Sequence, residues 1–365
     1  MERSFIQFYK NVPDGLLLQN GFSYVWDEAN PQWIDWNTKD LPVNTEKVYV
    51  SAITSFTILK IWDWAEEHPE IQFIVGGPAV WPGHPFKELT KSLPDNLVLV
   101  GDFAEKIFDR PVNLKSWKLV PPKIDKNFIY VYHIDDTCEW SKCLFCRRID
   151  TKPHEMREYD LEPLWGATSG TVYLAADSLS PEQLSILKEL NYNDKQYRLY
   201  IRGTQQIYDS LKKVLNDVKK SEHLTFCMGV EFPSDRMLRW MNKGTTVKEL
   251  LQVINLFVEH GCQFRLSYMT EWPNLTRNDL DEARKFFDSL ENKDALLGSH
   301  FISCLTIGNK PWSEYKGEPL KFGNFIVGYK TRLSEQEKLL NQEWEKIVGS
   351  RNNSTFYFGR SNEYE

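Results

Sequence analysis

TTVKELLQVINLFVEHGCQFRLSYMT, residues 245–270, holds the pattern from which the fold of this 365-residue chain can be predicted. Apolar residues recur every three to four positions between Leu250 and Phe257, as they do along the buried side of an amphipathic helix. Gly261 follows as a C-terminal cap, and the apolar and aromatic run after it predicts a β-strand. The stretch is therefore one helix followed by one strand.

The same unit recurs from about residue 123 onward. Six short runs predict strands: NFIYVYHI (127–134), TVYLAA (171–176), YRLYIR (197–202), LTFCMGVE (224–231), FRLSYMT (264–270) and FISCLTI (301–307). Between them, SPEQLSILKEL, QQIYDSLKKVLNDVKK, the helix quoted above and TRNDLDEARKFFDSL predict helices. Strands that alternate with helices pair in parallel through right-handed crossovers. Six units are too few for a closed eight-stranded barrel, so residues 123–307 are predicted to form a partial (β/α)6 TIM-like barrel in an α/β protein, with its active site at the carboxyl ends of the strands.

Residues 1–122 predict a separate, truncated Rossmann-like domain. The runs SFIQFY, KVYVSA, IQFIVGGP and NLVLVGDF read as parallel strands, and SFTILKIWDWAEEH reads as a helix. A Trp-, Asn- and Pro-rich stretch, FSYVWDEANPQWIDWNTKDLP, replaces the longer βα unit expected after the first strand. DRPVNLKSWKLVPPKID predicts a linker. Residues 308–365 form a C-terminal extension with one charged helix, SEQEKLLNQEWEKIV.

Composition narrows the class of protein. The net charge is −7 and the pI is about 5.7, with no cluster of Lys and Arg that would mark a phosphate-binding surface, so a nucleic-acid partner is not expected. The N-terminus lacks a basic segment followed by an apolar one, and no apolar run is long enough to cross a membrane. The expected compartment is the cytoplasm, with no membrane association.

Three of the six cysteines lie within CEWSKCLFC, residues 138–146, directly after the first predicted barrel strand. This uneven distribution does not resemble a secreted disulfide framework, and in a reducing compartment it favours a metal site or a catalytic site. One alternative is a zinc site that His133 or His154 would complete, within a binding protein that uses the aromatic-rich N-terminal unit to hold a partner. The other three cysteines, Cys227, Cys262 and Cys304, lie in apolar runs and predict buried packing.

At these residues the chain resembles the radical S-adenosylmethionine (SAM) superfamily, in the type with an N-terminal cobalamin-binding-like domain. That family carries three cysteines, usually CxxxCxxC, after the first barrel strand, and this chain has one extra residue between the first two. The ordered matches continue through Gly229, Glu231, the NKGTT turn at 242–246 and Gly261, and they end with a Pro-x-x-Thr turn at 273–276. The resemblance covers roughly residues 127–307.

The resemblance implies a mechanism. Cys138, Cys143 and Cys146 would hold a [4Fe–4S] cluster whose open iron binds SAM, and the reduced cluster would cleave SAM to a 5′-deoxyadenosyl radical that abstracts hydrogen from an unidentified substrate. Methylation with cobalamin, epimerisation and rearrangement all remain open, with Tyr268 and Cys304 as candidate hydrogen donors. Flavodoxin or ferredoxin would supply the electron, and the substrate would be a small molecule or a peptide.

The resemblance also implies contacts to SAM. The residues concerned are Phe145, Ala175, Ala176, Asp177, Arg202 and Glu231. Phe145 would pack by the adenine, the Ala-Ala-Asp segment would hold the methionine amino group, Arg202 would bind the carboxylate and Glu231 the ribose hydroxyls. Two alternatives stay open: Asp177 is also a typical turn residue, and Arg202 could extend along the strand end toward solvent.

Gly76, Gly77 and Pro78 follow a strand of the N-terminal unit. In the resembling proteins a GGP at this point lies against cobalamin, because glycines let the backbone approach a large flat ligand. The chain has no DxHxxG, so the family's lower axial histidine is missing. Cobalamin binding is one interpretation, and a vestigial domain that shapes the substrate pocket is the other.

Overall fold

The computed structural model describes residues 2–7, 32–34, 41, 45–51, 55–76, 93–99, 129–134, 138–146, 170–176, 178–193, 195–290, 296–303, 315–322 and 325–349. The chain divides into two compact units. One comprises Met1–Tyr132 with Tyr159–Tyr173, and the other comprises His133–Glu158 with Leu174–Glu365. The linker predicted at 109–125 and the tail after Gly349 lie outside the described residues.

The first unit contains a parallel sheet with the strand order β2-β1-β3-β4-β5. Its elements are β1 (Glu2–Gln7), β2 (Gln32–Ile34), β3 (Thr45–Ser51), α1 (Ser55–Glu67), β4 (Gln72–Gly76) and β5 (Leu97–Leu99). The four predicted strands and the predicted helix are present. No strand was predicted in the Trp-rich stretch, which contributes the three-residue β2, and β2 pairs in parallel with β1.

The second sheet has the order β11-β10-β9-β8-β7-β6, so each strand lies beside its neighbour in sequence. The strands are β6 (Ile129–His133), β7 (Gly170–Ala175), β8 (Lys195–Ile201), β9 (Leu224–Glu231), β10 (Gln263–Thr270) and β11 (Leu296–Ser303). The pairs β8–β9, β9–β10 and β10–β11 are parallel. The architecture is therefore α/β with parallel sheets. β11 was predicted at 301–307 and instead begins at Leu296, because the less apolar LLGSH pairs with β10 before the FISC run does.

The helices that follow these strands are α2 (Gln205–Leu215), α3 (Asp235–Trp240), α4 (Val247–Glu259) and α5 (Arg277–Asp288). Side-chain hydroxyls cap them at their first turns. In α4, Thr246 and Glu249 form a reciprocal capping box, and Gly261 has φ +67° just past its end. The predicted helix SPEQLSILKEL forms only a 3-10 helix, Gln183–Lys188. Its turns close through hydrogen bonds between residues three positions apart, such as Glu189 N–H to Ile186 O at 3.0 Å.

Helices pack on one side of the second sheet. Phe257 of α4 stacks on Phe226 of β9, with ring centroids 4.5 Å apart, and contacts Phe264 of β10 at 5.8 Å. All three side chains are fully buried, and each contributes roughly 1.5–3 kcal/mol of transfer free energy. This apolar packing fixes the positions of β9 and β10, and with them the carboxyl ends of these two strands.

The C-terminal extension adds an antiparallel hairpin, β12 (Lys316–Phe322) and β13 (Phe325–Thr331), and the helix α6 (Glu335–Gly349). α6 attaches to the carboxyl end of β10. Asn341 accepts from Trp272 N–H at 2.8 Å and donates to Trp272 O at 2.9 Å, while the Trp344 indole donates to Met269 O at 2.9 Å. Among the described residues, no helix has the length and apolar character to cross a membrane.

Candidate functional site

The loop 138–146 carries the three clustered cysteines after β6. Cys143 is buried and Cys138 and Cys146 are half-buried, and none of the three is in a disulfide. Ser141 adopts a left-handed conformation, φ 46°, and its hydroxyl donates to Cys138 O. This turn lies between the first two cysteines, where the chain has one residue more than CxxxCxxC, so it takes up the additional residue.

Three hydrogen bonds attach this loop to the turn after α3. Leu144 N–H donates to Met241 O at 3.0 Å, the Trp140 indole donates to Asn242 O at 2.7 Å, and the Asn242 amide donates to Lys142 O at 2.9 Å. In each of these bonds the loop residue lies between two cysteines in the sequence and is not itself a cysteine. The backbone of the loop is therefore held independently of its thiols.

Gly244 lies in the same turn, close against the Trp140 ring of the loop, and supports a first prediction. Its φ is +66°, and a Cβ added there would lie 2.4 Å from the Trp140 ring. Replacing Gly244 by Ala should therefore displace Trp140 as well as strain the backbone, which alone costs about 1–2 kcal/mol. Gly261→Ala is a matched control, because Gly261 has φ +67° with nothing within 4 Å of the added Cβ in the described part of the chain. Urea unfolding should show that Gly244→Ala lowers the free energy of unfolding more than Gly261→Ala does. Equal losses in the two variants would argue against the Trp140 contact.

Arg202 joins the end of β8 to the same loop and turn. Its guanidinium donates to Lys243 O at 2.6 Å and Gly244 O at 3.2 Å, and it lies 4.8 Å from the centre of the Trp140 ring. Glu139 Oε1 is 3.7 Å from Nη1. Arg202 is thus buried among protein partners rather than extended into solvent, and its contact with a SAM carboxylate stays a prediction.

Glu231 ends β9 in a strained backbone conformation, φ 63°, and its Oε1 accepts from Lys243 Nζ at 2.7 Å. Both side chains are about 10% exposed. Burial lowers the pKa of Lys243, but the carboxylate of Glu231 outweighs burial and leaves that pKa above its usual value. Gly229 makes room for the pair, since a Cβ there would lie 2.3 Å from Glu231 Oε1. One carboxylate oxygen of Glu231 is therefore committed to Lys243.

Positive charge also surrounds the buried cysteine. Burial raises the pKa of the Cys143 thiol to about 11, and the charges of Lys243 and Arg202 oppose that rise. The thiol is protonated at neutral pH in the protein alone. A metal that binds Cys143 must displace this proton, and the two neighbouring cations stabilise the thiolate that results.

Phe145 lies in the same cluster of side chains. Its ring meets Trp272 edge-on at 5.9 Å, and Lys243 Nζ is 5.5 Å from its centre. Trp272 is the residue whose backbone bonds to Asn341 of α6. The packing of Phe145 by an adenine stays a prediction, and sequence reasoning missed both Lys243 and Trp272.

The donor set can be compared with the two predicted metal sites. Three cysteines outside any disulfide on one loop suit an iron–sulfur cluster in their chemistry, although no three His, Cys, Asp or Glu side chains converge on a metal position among the described residues. Of the zinc candidates, His154 is outside the described residues and only the backbone of His133, at the end of β6, is described.

The end of β7 contributes a further polar atom. Ala175 ends that strand and Ala176 is buried, while Asp177 lies outside the described residues. Ser178 Oγ is buried and has no hydrogen-bond partner in the described part of the chain. An orphaned hydroxyl beside the predicted SAM segment fits a polar ligand group at this strand end, because buried polar groups are nearly always hydrogen-bonded.

The remaining candidates have different surroundings. Tyr268 is fully buried and packs against Phe287 at 5.4 Å and Trp344 at 5.8 Å, and Cys304 lies outside the described residues. Cys227 and Cys262 are buried as predicted, and burial raises their pKa values to about 11 and 12.

In the first unit, Gly76 ends β4, and Gly77 and Pro78 lie outside the described residues. A Cβ added at Gly76 would meet no described atom within 4 Å.

No protein-family model and no curated protein matches this chain. Solved structures do match. The cobalamin-dependent SAM radical enzyme OxsB with aqua-cobalamin bound is 15% identical, with a TM-score of 0.53 over 96% of this chain and 56% of OxsB. The radical SAM methyltransferase TsrM from Kitasatospora setae, with tryptophan substrate and a SAM analogue bound, is 13% identical, with a TM-score of 0.52 over 82% of this chain and 72% of TsrM. The chain thus spans little more than half the length of OxsB, and the likeness shows that it shares the fold of these proteins.

Proposed function

We propose that this chain is a radical SAM enzyme that uses a [4Fe–4S] cluster to cleave SAM reductively. One observation carries the proposal: in a fold shared with OxsB and TsrM, a loop with three cysteines outside any disulfide is hydrogen-bonded to the turn from which Lys243 reaches Glu231. In this proposal the six-stranded sheet is a partial (β/α)6 barrel, residues 123–307, and residues 1–122 are a truncated Rossmann-like domain.

The chain's own residues would bind and orient the reactants. Cys138, Cys143 and Cys146 would hold the cluster, which when bound and reduced supplies an electron to the SAM sulfonium. Ser178 Oγ could satisfy its missing hydrogen bond on the methionine part of SAM. Orienting SAM and excluding water are the contributions the protein makes in such chemistry.

Lys243 is expected to hold the carboxylate of Glu231 in the orientation in which it would bind the ribose hydroxyls of SAM. Replacing Lys243 by Met leaves the buried carboxylate without its 2.7 Å partner, so its orientation is lost. We expect about tenfold weaker SAM binding, or about 1.4 kcal/mol, in equilibrium dialysis with the cluster-loaded protein. Lys243→Arg should recover part of the affinity because it keeps the charge. Unchanged affinity in Lys243→Met would mean that Glu231 does not contact SAM.

The proposal extends to cobalamin, which OxsB and TsrM both bind. Gly76, Gly77 and Pro78 would lie against it, and among the described residues no atom near Gly76 blocks that contact. The check is the absorption spectrum of protein purified anaerobically with cobalamin supplied. A corrin band that stays with the protein through gel filtration is the expected result, and a spectrum without it favours the vestigial interpretation.

A reducing, cytoplasmic setting suits this chemistry, since the thiolates and the cluster must escape oxidation. A flavodoxin or ferredoxin is the proposed electron donor, and the proposed substrate is a small molecule or a peptide.

Anaerobic reconstitution with iron and sulfide tests the proposed function. We expect a brown protein with about four irons per chain that, once reduced, converts SAM to methionine and 5′-deoxyadenosine. A colourless protein with about one zinc per chain that leaves SAM intact would instead support the zinc-binding alternative.

A further inference from the structure

The cysteine loop carries an indole ring that faces two cations. Trp140 lies between Cys138 and Cys143, in the stretch where the chain has its additional residue. Lys142 Nζ lies 4.9 Å from the centre of the Trp140 ring, and the Arg202 guanidinium lies 4.8 Å from it. Lys142 is exposed, whereas the Arg202 side chain is only 10% exposed. Because a cation attracts an aromatic ring more strongly when water is excluded, the contact with Arg202 is the stronger of the two.

Arg202 extends from a part of the sheet that is packed tightly. It follows the last residue of β8 and precedes Gly203. A Cβ added at Gly203 would lie 2.6 Å from Leu250 of α4 and 2.7 Å from Met228 of β9. Gly203 O also accepts a hydrogen bond from the hydroxyl of Thr245, in the turn after α3. The backbone beside Arg202 is therefore fixed by its neighbours, so the guanidinium reaches the loop from a rigid base.

The guanidinium is occupied by the turn and the loop. Its Nη2 donates to Lys243 O at 2.6 Å and to Gly244 O at 3.2 Å. Its Nη1 lies 3.7 Å from Oε1 of Glu139, the residue that directly follows Cys138. A carboxylate from a ligand would compete with Glu139 for Nη1 and with the two carbonyls for Nη2. These contacts therefore fit a link between strand, turn and loop better than a group left open for SAM.

We propose that Arg202 is a positioning residue that holds the longer stretch between the first two cysteines, so that the three thiols can bind one cluster. A longer loop has more conformations to lose when its ends are fixed, and contacts made before the cluster binds reduce that loss. Arg202 supplies such contacts at Glu139 and Trp140, the two residues after Cys138. That the loop binds a cluster rests on the proposed function, whereas the holding of the loop rests on these contacts alone.

Alkylation of the cysteines in the cluster-free full chain tests this role, with iodoacetamide as the probe and peptide mass spectrometry as the readout. In Arg202→Met, Cys138 should react about fivefold faster than in wild type, because the loop opens more often. The loss of a positive charge alone would lower the thiolate population and slow the reaction, so a faster reaction reports movement of the loop. Cys262 is fully buried and should react at its wild-type rate in the same samples.

Two results of this experiment would overturn the proposal. If Cys138 reacts at the wild-type rate in Arg202→Met, Arg202 does not hold the loop. Weaker SAM binding by that variant, once loaded with the cluster, would then assign Arg202 to the SAM carboxylate instead. Equal acceleration at Cys138 and Cys262 would show that Arg202 stabilises the whole fold and not the loop.

Two further variants separate shape from charge. Arg202→Lys keeps the charge beside Glu139 but loses the planar face and the fork of donors, so Cys138 should react at a rate between those of wild type and Arg202→Met. This milder variant also decides the question if Arg202→Met does not fold. Arg239→Met is the matched control, because Arg239 is an exposed arginine of α3 beside the same turn. It should change the Cys138 rate by less than about twofold. An equal effect of both arginines would mean that the probe reads surface charge, and the proposal would fall.

Trp140→Leu tests whether Arg202 acts through the ring. If it does, adding Arg202→Met to Trp140→Leu should accelerate the reaction of Cys138 little further, because both changes remove the same contact. Accelerations that multiply in the double variant would mean that the two side chains act separately, and would contradict the proposal.

Reconstitution then relates the loop to iron binding. From the loaded protein, a chelator should extract iron about fivefold faster in Arg202→Met than in wild type. If wild type takes up no iron, the proposed function fails and the alkylation rates still decide the role of Arg202. If wild type forms the cluster and Arg202→Met keeps its iron as long as wild type does, the proposed function stands and this inference falls.

Discussion

Replacement of Cys138, Cys143 and Cys146 together by Ala is expected to abolish reductive SAM cleavage while leaving the chain folded. The proposed cluster has no other thiol ligands in this loop, and without it nothing in the proposal delivers an electron to SAM. Folding should survive because the loop is attached through Trp140, Asn242 and backbone groups rather than through the thiols. Iron analysis, product chromatography and circular dichroism together measure the three outcomes.

Cys262→Ala is the matched control for this variant. Cys262 is fully buried away from the loop, so its loss should lower stability modestly and leave the iron content unchanged. Cleavage of SAM by the triple variant would refute the cluster assignment. Loss of iron from Cys262→Ala would show that iron binding depends on general stability and not on the loop.

Asp279→Asn is expected to destabilise the protein by about 3 kcal/mol, at the low end for breaking a buried ion pair because Arg236 keeps access to solvent. The carboxylate is almost fully buried. It accepts from Ser234 Oγ at 2.6 Å, from Arg236 Nε at 3.0 Å and from the backbone and hydroxyl of Thr276 at 2.8 and 2.5 Å. One side chain thus joins the N-termini of α3 and α5. Chemical denaturation at neutral pH measures the loss.

The difference in stability between wild type and Asp279→Asn should depend on pH in a defined direction. Burial alone would raise the pKa of Asp279, but the hydrogen bonds from Arg236, Ser234 and Thr276 outweigh it and lower that pKa below its ordinary value. The ionised carboxylate therefore stabilises the fold above pH ~4, and this contribution is lost as the pH falls through the lowered pKa. Wild type and Asp279→Asn should converge in acid.

Asp281→Asn serves as the comparison, because Asp281 is exposed and forms a surface ion pair with Arg284 on the same helix. Such surface pairs contribute about 0.2–1 kcal/mol. If both variants lose the same stability, the buried network at Asp279 does not hold α3 to α5.

Local patterns in the sequence predicted much of this structure. β9 coincides with the predicted run 224–231, and the cap residues around α4 are those that the sequence indicates. The hairpin β12–β13 was missed although Gly-Asn separates two apolar runs at 323–324, a recognised hairpin signal. The 3-10 helix 183–188 was predicted to be longer, since the pattern of apolar residues does not distinguish a short turn from an α-helix.

The site was harder to predict because its contacts join residues far apart in the chain. Glu231 was identified from its place at the end of a strand, but its bond to Lys243 depends on how the turn after α3 folds back. Likewise, the acceptors of Arg202 are backbone carbonyls about forty residues away, which carry no side-chain signature.

The attachment of α6 to β10 affects where the C-terminal boundary of a fragment of this chain should be placed. A fragment ending at residue 307 would remove Asn341 and Trp344, so both backbone groups of Trp272 would lose their Asn341 partner, and the carbonyl of Met269 would lose the Trp344 indole while it keeps the Trp272 indole. Trp272 in turn contacts Phe145, next to the last cysteine of the loop. A fragment of the second unit without residues 335–349 would thus lose a support of its cysteine loop, so a fragment that keeps this support extends to Gly349.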